Sequence, residues 1–115
     1  MLPGNYHLFN EETFAKMKDG AVLVNTSRGD IIDESALLRA LESGKLAAFG
    51  VDVLHNEWRE DMCESPIVQY AQEHDNVIIT PHMGGCTKRS LWEARIFSAR
   101  KLAHYLATAE ELTMM

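Results

Sequence analysis

The chain has 115 residues, which fits one domain, and its 46% apolar and 24% charged residues are typical of an ordinary soluble globular protein. Its net charge of −6, without any run of lysine and arginine, argues against a nucleic-acid partner, because phosphate binding needs clustered cations. No apolar stretch approaches the ~20 residues that span a bilayer, the N-terminus lacks a signal-peptide pattern, and there are only two cysteines, so we expect a cytoplasmic protein with reduced thiols and no membrane partner.

The first predicted helix lies in the segment FNEETFAKMKDG. Asn10 is a good N-cap residue, and Phe9 and Phe14 have the spacing of a hydrophobic staple. Gly20 is expected to end the helix. The run AVLVN, residues 21–25, is short and rich in valine, which is typical of a parallel strand buried on both faces.

The second predicted helix begins after Asp33, a residue suited to capping, and ends at Gly44. LAAFGVDV, residues 46–53, is the next apolar strand, and an irregular polar segment follows over residues 54–66. Residues 67–74 are expected to form one or two helical turns. NVIIT, residues 76–80, is the third strand, which the next proline ends.

The last predicted helix is long, covering residues 87–107 with Thr87 as its cap. Its apolar residues occupy more than one stripe, so it should be buried on most sides. The chain offers too few other elements to cover it, which indicates docking against another domain or another copy of the chain.

This element order predicts an α/β fold: a three-stranded parallel sheet flanked by helices, with a long C-terminal helix. The sheet is small and has two open edges, which need pairing or covering. We expect residues 1–115 to form a single domain.

In open parallel sheets, ligands bind beyond the carboxyl ends of the strands. The first strand ends near Arg28, the second near Asp52 and Glu57, and the third near His82. If the strands are neighbours, these groups meet at one edge of the sheet. A guanidinium can hold a carboxylate in a bidentate pair, and an imidazole beside a carboxylate can transfer a proton. Gly84-Gly85 would let backbone approach a ligand closely.

Structural interpretations stand beside these functional ones. Arg28 alone could be a solvated loop residue, Glu57 a surface residue, and His82 a strand terminator that fills one hydrogen bond. The tripeptide Arg28-Gly29-Asp30 matches an adhesion signal, but nothing else in the sequence indicates export. A metal site on His82 and Cys86 lacks a second ligand pair of matching spacing, and we predict none. The other histidines, His7, His55, His74 and His104, default to the surface.

Two segments carry a resemblance to a known family. LPGNYHLFNEETFAKMKDGAVLVNTSRGDIIDESALLRALESGKLAAFGVDVL and NVIITPHMGG resemble the C-terminal half of the nucleotide-binding domain of the D-isomer-specific 2-hydroxyacid dehydrogenases, which include phosphoglycerate, D-lactate, glycerate and formate dehydrogenases. The resemblance covers nearly the whole chain. It includes the spacing of 57 − 28 = 29 residues between Arg28 and Glu57.

The resemblance implies a partial Rossmann-like domain in an enzyme that interconverts 2-hydroxy and 2-keto acids by hydride transfer with NAD. Arg28 would bind the substrate carboxylate and keto oxygen, and His82, paired with Glu57, would be the general acid/base. The resemblance implies that seven residues contact the cofactor: Thr26, Ser27, Arg28, Asp52, His82, Gly84 and Gly85. NADP stays an alternative, because the residue that distinguishes the two cofactors lies in an upstream segment of the family.

The sequence also departs from the family pattern. Trp58 replaces the proline that usually follows the glutamate, and the segment after it is unusual, which leaves the substrate open. The glycine-rich pyrophosphate turn and the substrate domain of the family are absent from these 115 residues. We therefore expect little or no activity from this chain alone. The alternative is a non-enzymatic half-domain that associates with itself, as a homodimer, through its sheet edge and last helix.

Overall fold

The computed structural model describes residues 3–58 and 60–113, with side chains over 4–58 and 60–108. The chain divides after His82 into two compact units. Within the described residues, no helix is both long and apolar enough to cross a membrane.

The first unit alternates helices and strands, as predicted. Its helices are α1 (Glu11–Lys16), α2 (Glu34–Glu42) and α3 (Pro66–Glu73), and its strands are β1 (Ala21–Asn25), β2 (Leu46–Val51) and β3 (Val77–Ile79). There are also three short 3-10 turns: Pro3–Asn5 before α1, Gly29–Ile31 between β1 and α2, and Met62–Glu64 between β2 and α3.

Both predicted helix caps in this unit are confirmed. The Asn10 side chain accepts a hydrogen bond from the Thr13 backbone N–H at 3.1 Å, and the Phe9 and Phe14 rings lie 6.4 Å apart. Asp33 Oδ1 accepts from two backbone N–H groups, those of Ser35 at 3.0 Å and Ala36 at 3.1 Å. These bonds satisfy donors that the first helical turn leaves without a partner.

The end of α1 differs from the prediction. The helix stops at Lys16, because Met17 is already extended with ψ 161°. Gly20 has φ +71° and belongs to the turn into β1 instead of the helix end. Gly44, with φ +74°, follows α2 as predicted, and a left-handed φ of this size favours glycine.

The three strands form one parallel sheet in the order β1-β2-β3. Asn25 pairs with Val51, and Val51 pairs with Ile79, so the carboxyl ends of all three strands lie at the same edge. The α/β fold and the convergence of the strand ends are therefore confirmed.

The prediction that the strands are buried on both faces is wrong. One face packs on the helices, with Phe49, Val51 and Val77 in a core that includes Phe14, Leu37, Leu41 and Ile67. On the other face Val22, Val24 and Ile78 are each about two-thirds exposed. Apolar runs indicate burial, but the helices that the structure describes in this unit pack on one face only.

The second unit contains α4 (Lys88–Thr113), six residues longer than predicted at its C-terminal end. Its cap is confirmed, because Thr87 Oγ1 accepts from the Ser90 backbone N–H at 3.1 Å. Large apolar side chains of α4 are exposed: Leu91, Trp92, Phe97, Leu102, Tyr105 and Leu106. The described residues do not bury these apolar side chains of α4, contrary to the expectation that the helix is buried on most sides. Docking of α4 onto another domain or another copy of the chain stays a prediction.

Candidate active site

The loop after β1 is held by a buried asparagine. Asn25 Oδ1 accepts from the backbone N–H and the hydroxyl of Ser27, at 3.0 and 2.9 Å, and its Nδ2 donates to the Arg28 carbonyl at 2.9 Å. Asn25 is only 4% exposed, so these bonds satisfy a polar group that is costly to bury alone. An asparagine that closes a turn on its own loop fixes the path of Thr26, Ser27 and Arg28.

Arg28 projects from this loop with an exposed side chain. Its Nη1 donates to the Ser27 carbonyl at 2.7 Å, which orients the guanidinium. A guanidinium has five N–H donors in a planar fork, so this bond leaves capacity for a bidentate carboxylate.

The same loop packs tightly against the segment after β2. A Cβ atom placed on Gly29 would overlap the backbone of Leu54 and His55. Next to this contact, His55 Nδ1 bonds to Asp30 Oδ1, and Asn56 Nδ2 lies 2.9 Å from His55 Nε2. His55, predicted to lie at the surface, has a side chain that is 36% exposed and also joins two loops through its contact with Asp30.

Asp52 lies at the centre of the sheet edge and is 7% exposed. Its backbone N–H donates to the Asn25 carbonyl at 3.0 Å, and its own carbonyl accepts from the His82 N–H at 2.8 Å. The Thr80 hydroxyl donates to Asp52 Oδ1 at 2.5 Å. The three strand ends are thus tied together through Asp52, and the carboxylate has the polar partner that its burial requires.

His82 and Glu57 form a direct pair. His82 Nδ1 lies 2.5 Å from Glu57 Oε1, and the Glu57 side chain is 18% exposed. His82 has φ +50°, a left-handed conformation that is uncommon outside glycine and concentrates at functional sites. The Glu57 carboxylate contacts the imidazole at Nδ1 and so orients the ring.

Two open clefts lie at this edge. The first, of about 380 Å³, is lined by the three predicted catalytic residues, Arg28, Glu57 and His82, together with Asp30 and Trp58 among others. The second, of about 350 Å³, is lined by Asp52 and Thr80 and by apolar side chains. The clefts share Leu54, Glu57, Trp58 and His82.

The remaining predicted site residues lie outside these clefts. Thr26 and Ser27 are exposed on the Asn25 loop. Gly84 and Gly85 belong to the second unit, where the Gly85 carbonyl accepts from the Ser90 hydroxyl at 2.6 Å. A Cβ atom on Gly85 would meet nothing within 4 Å. Across the described residues, no three His, Cys, Asp or Glu side chains form a group that could hold a metal ion.

Sequence reasoning missed several residues that build the site: Asn25, Gly29, Asp30, His55 and Thr80. A signal existed only for Asn25, because a polar residue that ends an apolar run two positions before a serine is typical of a side-chain-closed turn. The others act through contacts between segments that are distant in the chain.

Comparison with known proteins places the chain among dehydrogenases. The family model described as D-isomer specific 2-hydroxyacid dehydrogenase, NAD binding domain, matches residues 1–84. D-3-phosphoglycerate dehydrogenase 2, chloroplastic, from Arabidopsis thaliana is 41% identical over 92 residues, which are 78% of this chain and 14% of the relative. D-lactate dehydrogenase from Leuconostoc mesenteroides subsp. cremoris is 39% identical over 80% of this chain and 30% of the relative.

Solved structures agree with the sequence relatives. A D-2-hydroxyisocaproate dehydrogenase structure superposes with a TM-score of 0.82 at 30% identity, over 94% of this chain and 35% of that one. D-lactate dehydrogenase from Aquifex aeolicus, complexed with NAD and lactic acid, gives a TM-score of 0.75 at 32% identity, again over 94% and 35%. The chain therefore spans about a third or less of the length of these proteins.

Proposed function

This chain belongs to the D-isomer-specific 2-hydroxyacid dehydrogenase family, and we propose that it supplies the catalytic residues and the nicotinamide-facing part of an NAD-dependent enzyme that interconverts a 2-hydroxy acid and a 2-oxo acid. One observation carries the proposal: Arg28, Glu57 and His82 line a single cleft, with His82 and Glu57 in direct contact. Such a reaction needs side chains that bind the substrate carboxylate and side chains that transfer a proton.

Arg28 binds the substrate in this proposal. Its guanidinium pairs with the substrate carboxylate and polarises the adjacent C2 carbonyl, because a planar fork of donors matches both oxygens. The Asn25 bonds and the Ser27 carbonyl hold the loop and the guanidinium, so less conformational entropy is lost on binding.

His82 transfers the proton. In the reducing direction its Nε2–H donates to the C2 oxygen as C2 becomes tetrahedral, and in the oxidising direction neutral Nε2 accepts the hydroxyl proton. Glu57 bonds to Nδ1, which keeps the ring oriented and stabilises imidazolium in the cycle. The cofactor, when it is bound, would supply the hydride that C2 receives, and with it the one electron pair that the reduction needs.

The residues present fit the nicotinamide end of the cofactor. Asp52 is a buried carboxylate at a strand end, and carboxylate oxygens suit the N–H donors of a carboxamide. The backbone of Thr26 and Ser27, and the segment from His82 to Gly85, are the other proposed contacts, beside Arg28. These 115 residues contain no Gly-x-Gly-x-x-Gly turn, so they fit only part of the cofactor.

We propose further that residues 1–115 are the C-terminal half of a dinucleotide-binding domain and are weakly active or inactive alone. Correct positioning of reactants supplies much of an enzyme's rate, and a substrate domain is part of that positioning. The small fraction of each relative that the chain matches supports this proposal.

The experiment pairs binding with turnover on the full chain. In a ¹H–¹⁵N NMR titration, we expect pyruvate to shift the resonances of the Arg28 loop and His82, and Arg28→Met to abolish these shifts because the carboxylate loses its cation. Arg39→Met is the matched control, since Arg39 is an exposed arginine on α2 outside the cleft.

The turnover assay follows NADH oxidation with pyruvate. We expect a rate close to the blank for the 115-residue chain. Robust turnover would contradict the proposed incompleteness, and pyruvate shifts that survive Arg28→Met would contradict the proposed role of Arg28.

A second candidate function is self-association without catalysis. It is favoured by the exposed valines and isoleucine on one face of the sheet and by the exposed apolar residues of α4. Apolar surfaces of this kind mark interaction sites in soluble proteins. The two candidates are compatible, because a partial domain can associate to cover such surfaces.

A further inference from the structure

The first cleft has a carboxylate on its wall beside the guanidinium that the proposed function assigns to substrate binding. Arg28 and Asp30 are two residues apart, and both line this cleft together with Glu57 and His82. A carboxylate and a guanidinium attract each other and form bidentate pairs when their side chains can meet. Such a pair would occupy the N–H donors that the substrate carboxylate needs.

Asp30 and Arg28, both among the described residues, bond to other groups and not to each other. The Asp30 carboxylate bonds to His55 Nδ1. The Arg28 guanidinium donates through Nη1 to the Ser27 carbonyl at 2.7 Å, which leaves its other N–H groups open to an anion. The partner of Asp30 therefore decides whether Arg28 has a competing carboxylate next to it.

The backbone around Asp30 is fixed independently of the Asp30 side chain. The Asp30 carbonyl accepts from the His7 N–H at 2.9 Å, and the Gly29 carbonyl accepts from the Ile32 N–H at 3.0 Å. Gly29 also lies against the backbone at His55. Because these contacts do not involve the carboxylate, loss of the His55 ring should free the Asp30 side chain without moving the loop. That side chain is 41% exposed, so it has room to take another rotamer.

The ring of His55 has a partner at each nitrogen. Nδ1 bonds to Asp30, and Nε2 lies 2.9 Å from the amide nitrogen of Asn56. An amide nitrogen only donates, so Nε2 is the acceptor in this arrangement and Nδ1 carries the proton that faces the carboxylate. The Asn56 bond thus keeps a donor directed at Asp30.

From these contacts we infer that His55 is a positioning residue of the proposed reaction: its Nδ1–H holds the Asp30 carboxylate away from Arg28 and keeps the guanidinium open to the substrate carboxylate. This inference rests on the proposed function, because substrate binding at Arg28 is what gives competition by Asp30 a consequence. It differs from a bond that merely joins two loops, since in that case loss of either partner has the same effect.

The first experiment measures pyruvate binding to the full chain by ¹H–¹⁵N NMR at about pH 8, where an ordinary imidazole is neutral. In His55→Ala the carboxylate loses its donor and can pair with Arg28. We therefore expect pyruvate to bind about threefold to fivefold more weakly, near the upper end of the effect of a surface ion pair. His55→Asn is the matched control, because its amide keeps an N–H donor near the position of Nδ1, and its affinity should stay within about twofold.

Removal of the competing carboxylate distinguishes this role from a structural one. We expect the double variant His55→Ala, Asp30→Ala to regain the pyruvate affinity of the unsubstituted chain within about twofold, because no carboxylate remains to pair with Arg28. A bond that only joins the two loops predicts instead that Asp30→Ala weakens binding as much as His55→Ala, with no recovery in the double variant. Arg39→Met, which removes a positive charge from α2, controls for a general effect of charge.

The Nε–H resonance of Arg28 gives a second measurement that needs no ligand. Its absence from the spectrum of Arg28→Met identifies it. We expect this resonance to shift in His55→Ala, because the guanidinium then contacts a carboxylate, and to return to its original position in the double variant with Asp30→Ala. Dispersed amide spectra confirm that each variant is folded.

The outcomes separate the inference from the proposed function. Pyruvate binding that is lost in Arg28→Met but unchanged in His55→Ala would overturn the inference and support the proposed function. Weakened binding in His55→Ala without recovery in the double variant, or without a shift of the Arg28 resonance, would also overturn the inference. A resonance that shifts and recovers while pyruvate binds to none of the chains would support the role of His55 and contradict the proposed substrate site.

Discussion

At the scale of single residues, the site is organised by side chains that do no chemistry in the proposed mechanism. Asn25 closes the loop that presents Arg28, and Thr80 bonds to the Asp52 carboxylate. Gly29 allows this loop to lie against the backbone of Leu54 and His55. The positions of Arg28 and Glu57 therefore depend on neighbouring residues that have no reactive group of their own.

Gly29→Ala tests this dependence. The added Cβ would overlap backbone atoms, which cannot rotate away as a side chain does, so we expect a loss of about 1–3 kcal/mol in the free energy of unfolding. The measurement is urea denaturation followed by circular dichroism. Gly4→Ala is the control, because a Cβ there meets nothing within 4 Å, and we expect its effect to stay within about 0.5 kcal/mol. Equal stability of the two variants would contradict the tight contact.

At the scale of elements, the starts of α1 and α2 follow from local chemistry, whereas the end of α1 does not. Asn10 and Asp33 supply side-chain acceptors to the first turns of α1 and α2. α1 ends at Lys16 and not at the predicted Gly20, because the chain is already extended at Met17 before it turns into β1. The starts of α1 and α2 are set by side-chain bonds within three residues, while the end of α1 depends on where β1 must begin.

The cap of α2 matters because this helix packs directly on the sheet that carries the site. We expect Asp33→Ala to lower the free energy of unfolding by about 1 kcal/mol, since two backbone N–H groups lose their acceptor. Asp33→Asn is the matched control, because asparagine is an equally good cap and should cost only a few tenths of a kcal/mol. Thermal or urea unfolding measures both. A large loss in the asparagine variant would show that the charge of Asp33, and not its capping bonds, stabilises α2.

At the scale of the whole molecule, each unit has apolar surface that its own described residues do not cover. In the first unit it is the sheet face with Val22, Val24 and Ile78, and in the second it is the apolar part of α4. The outer edges of β1 and β3 pair with no further strand among the described residues, which leaves backbone groups of the sheet open to pairing. Surfaces of this kind are expected to bind another domain or another copy of the chain.

Self-association should therefore respond to the polarity of the sheet face. We expect the chain to be larger than a monomer by light scattering at micromolar concentration, and the triple variant Val22→Thr, Val24→Thr and Ile78→Thr to shift it towards monomer. Threonine keeps the β-branched shape that strands favour, so the fold should persist. Lys18→Thr, in the turn before β1, serves as a control for surface substitution. A clean monomer of the unsubstituted chain would contradict association.

The sequence by itself determined the order of the elements, the caps at Asn10, Asp33 and Thr87, and the strand ends that carry Arg28, Asp52 and His82. These features are local, because caps act over three residues and strands follow from short apolar runs. Only the tertiary structure decided the Asp30–His55 bond, the Thr80–Asp52 bond and the close approach at Gly29, which join segments about 25 to 28 residues apart. Such contacts depend on the register of neighbouring strands, and an apolar run does not encode how many of its faces will be covered.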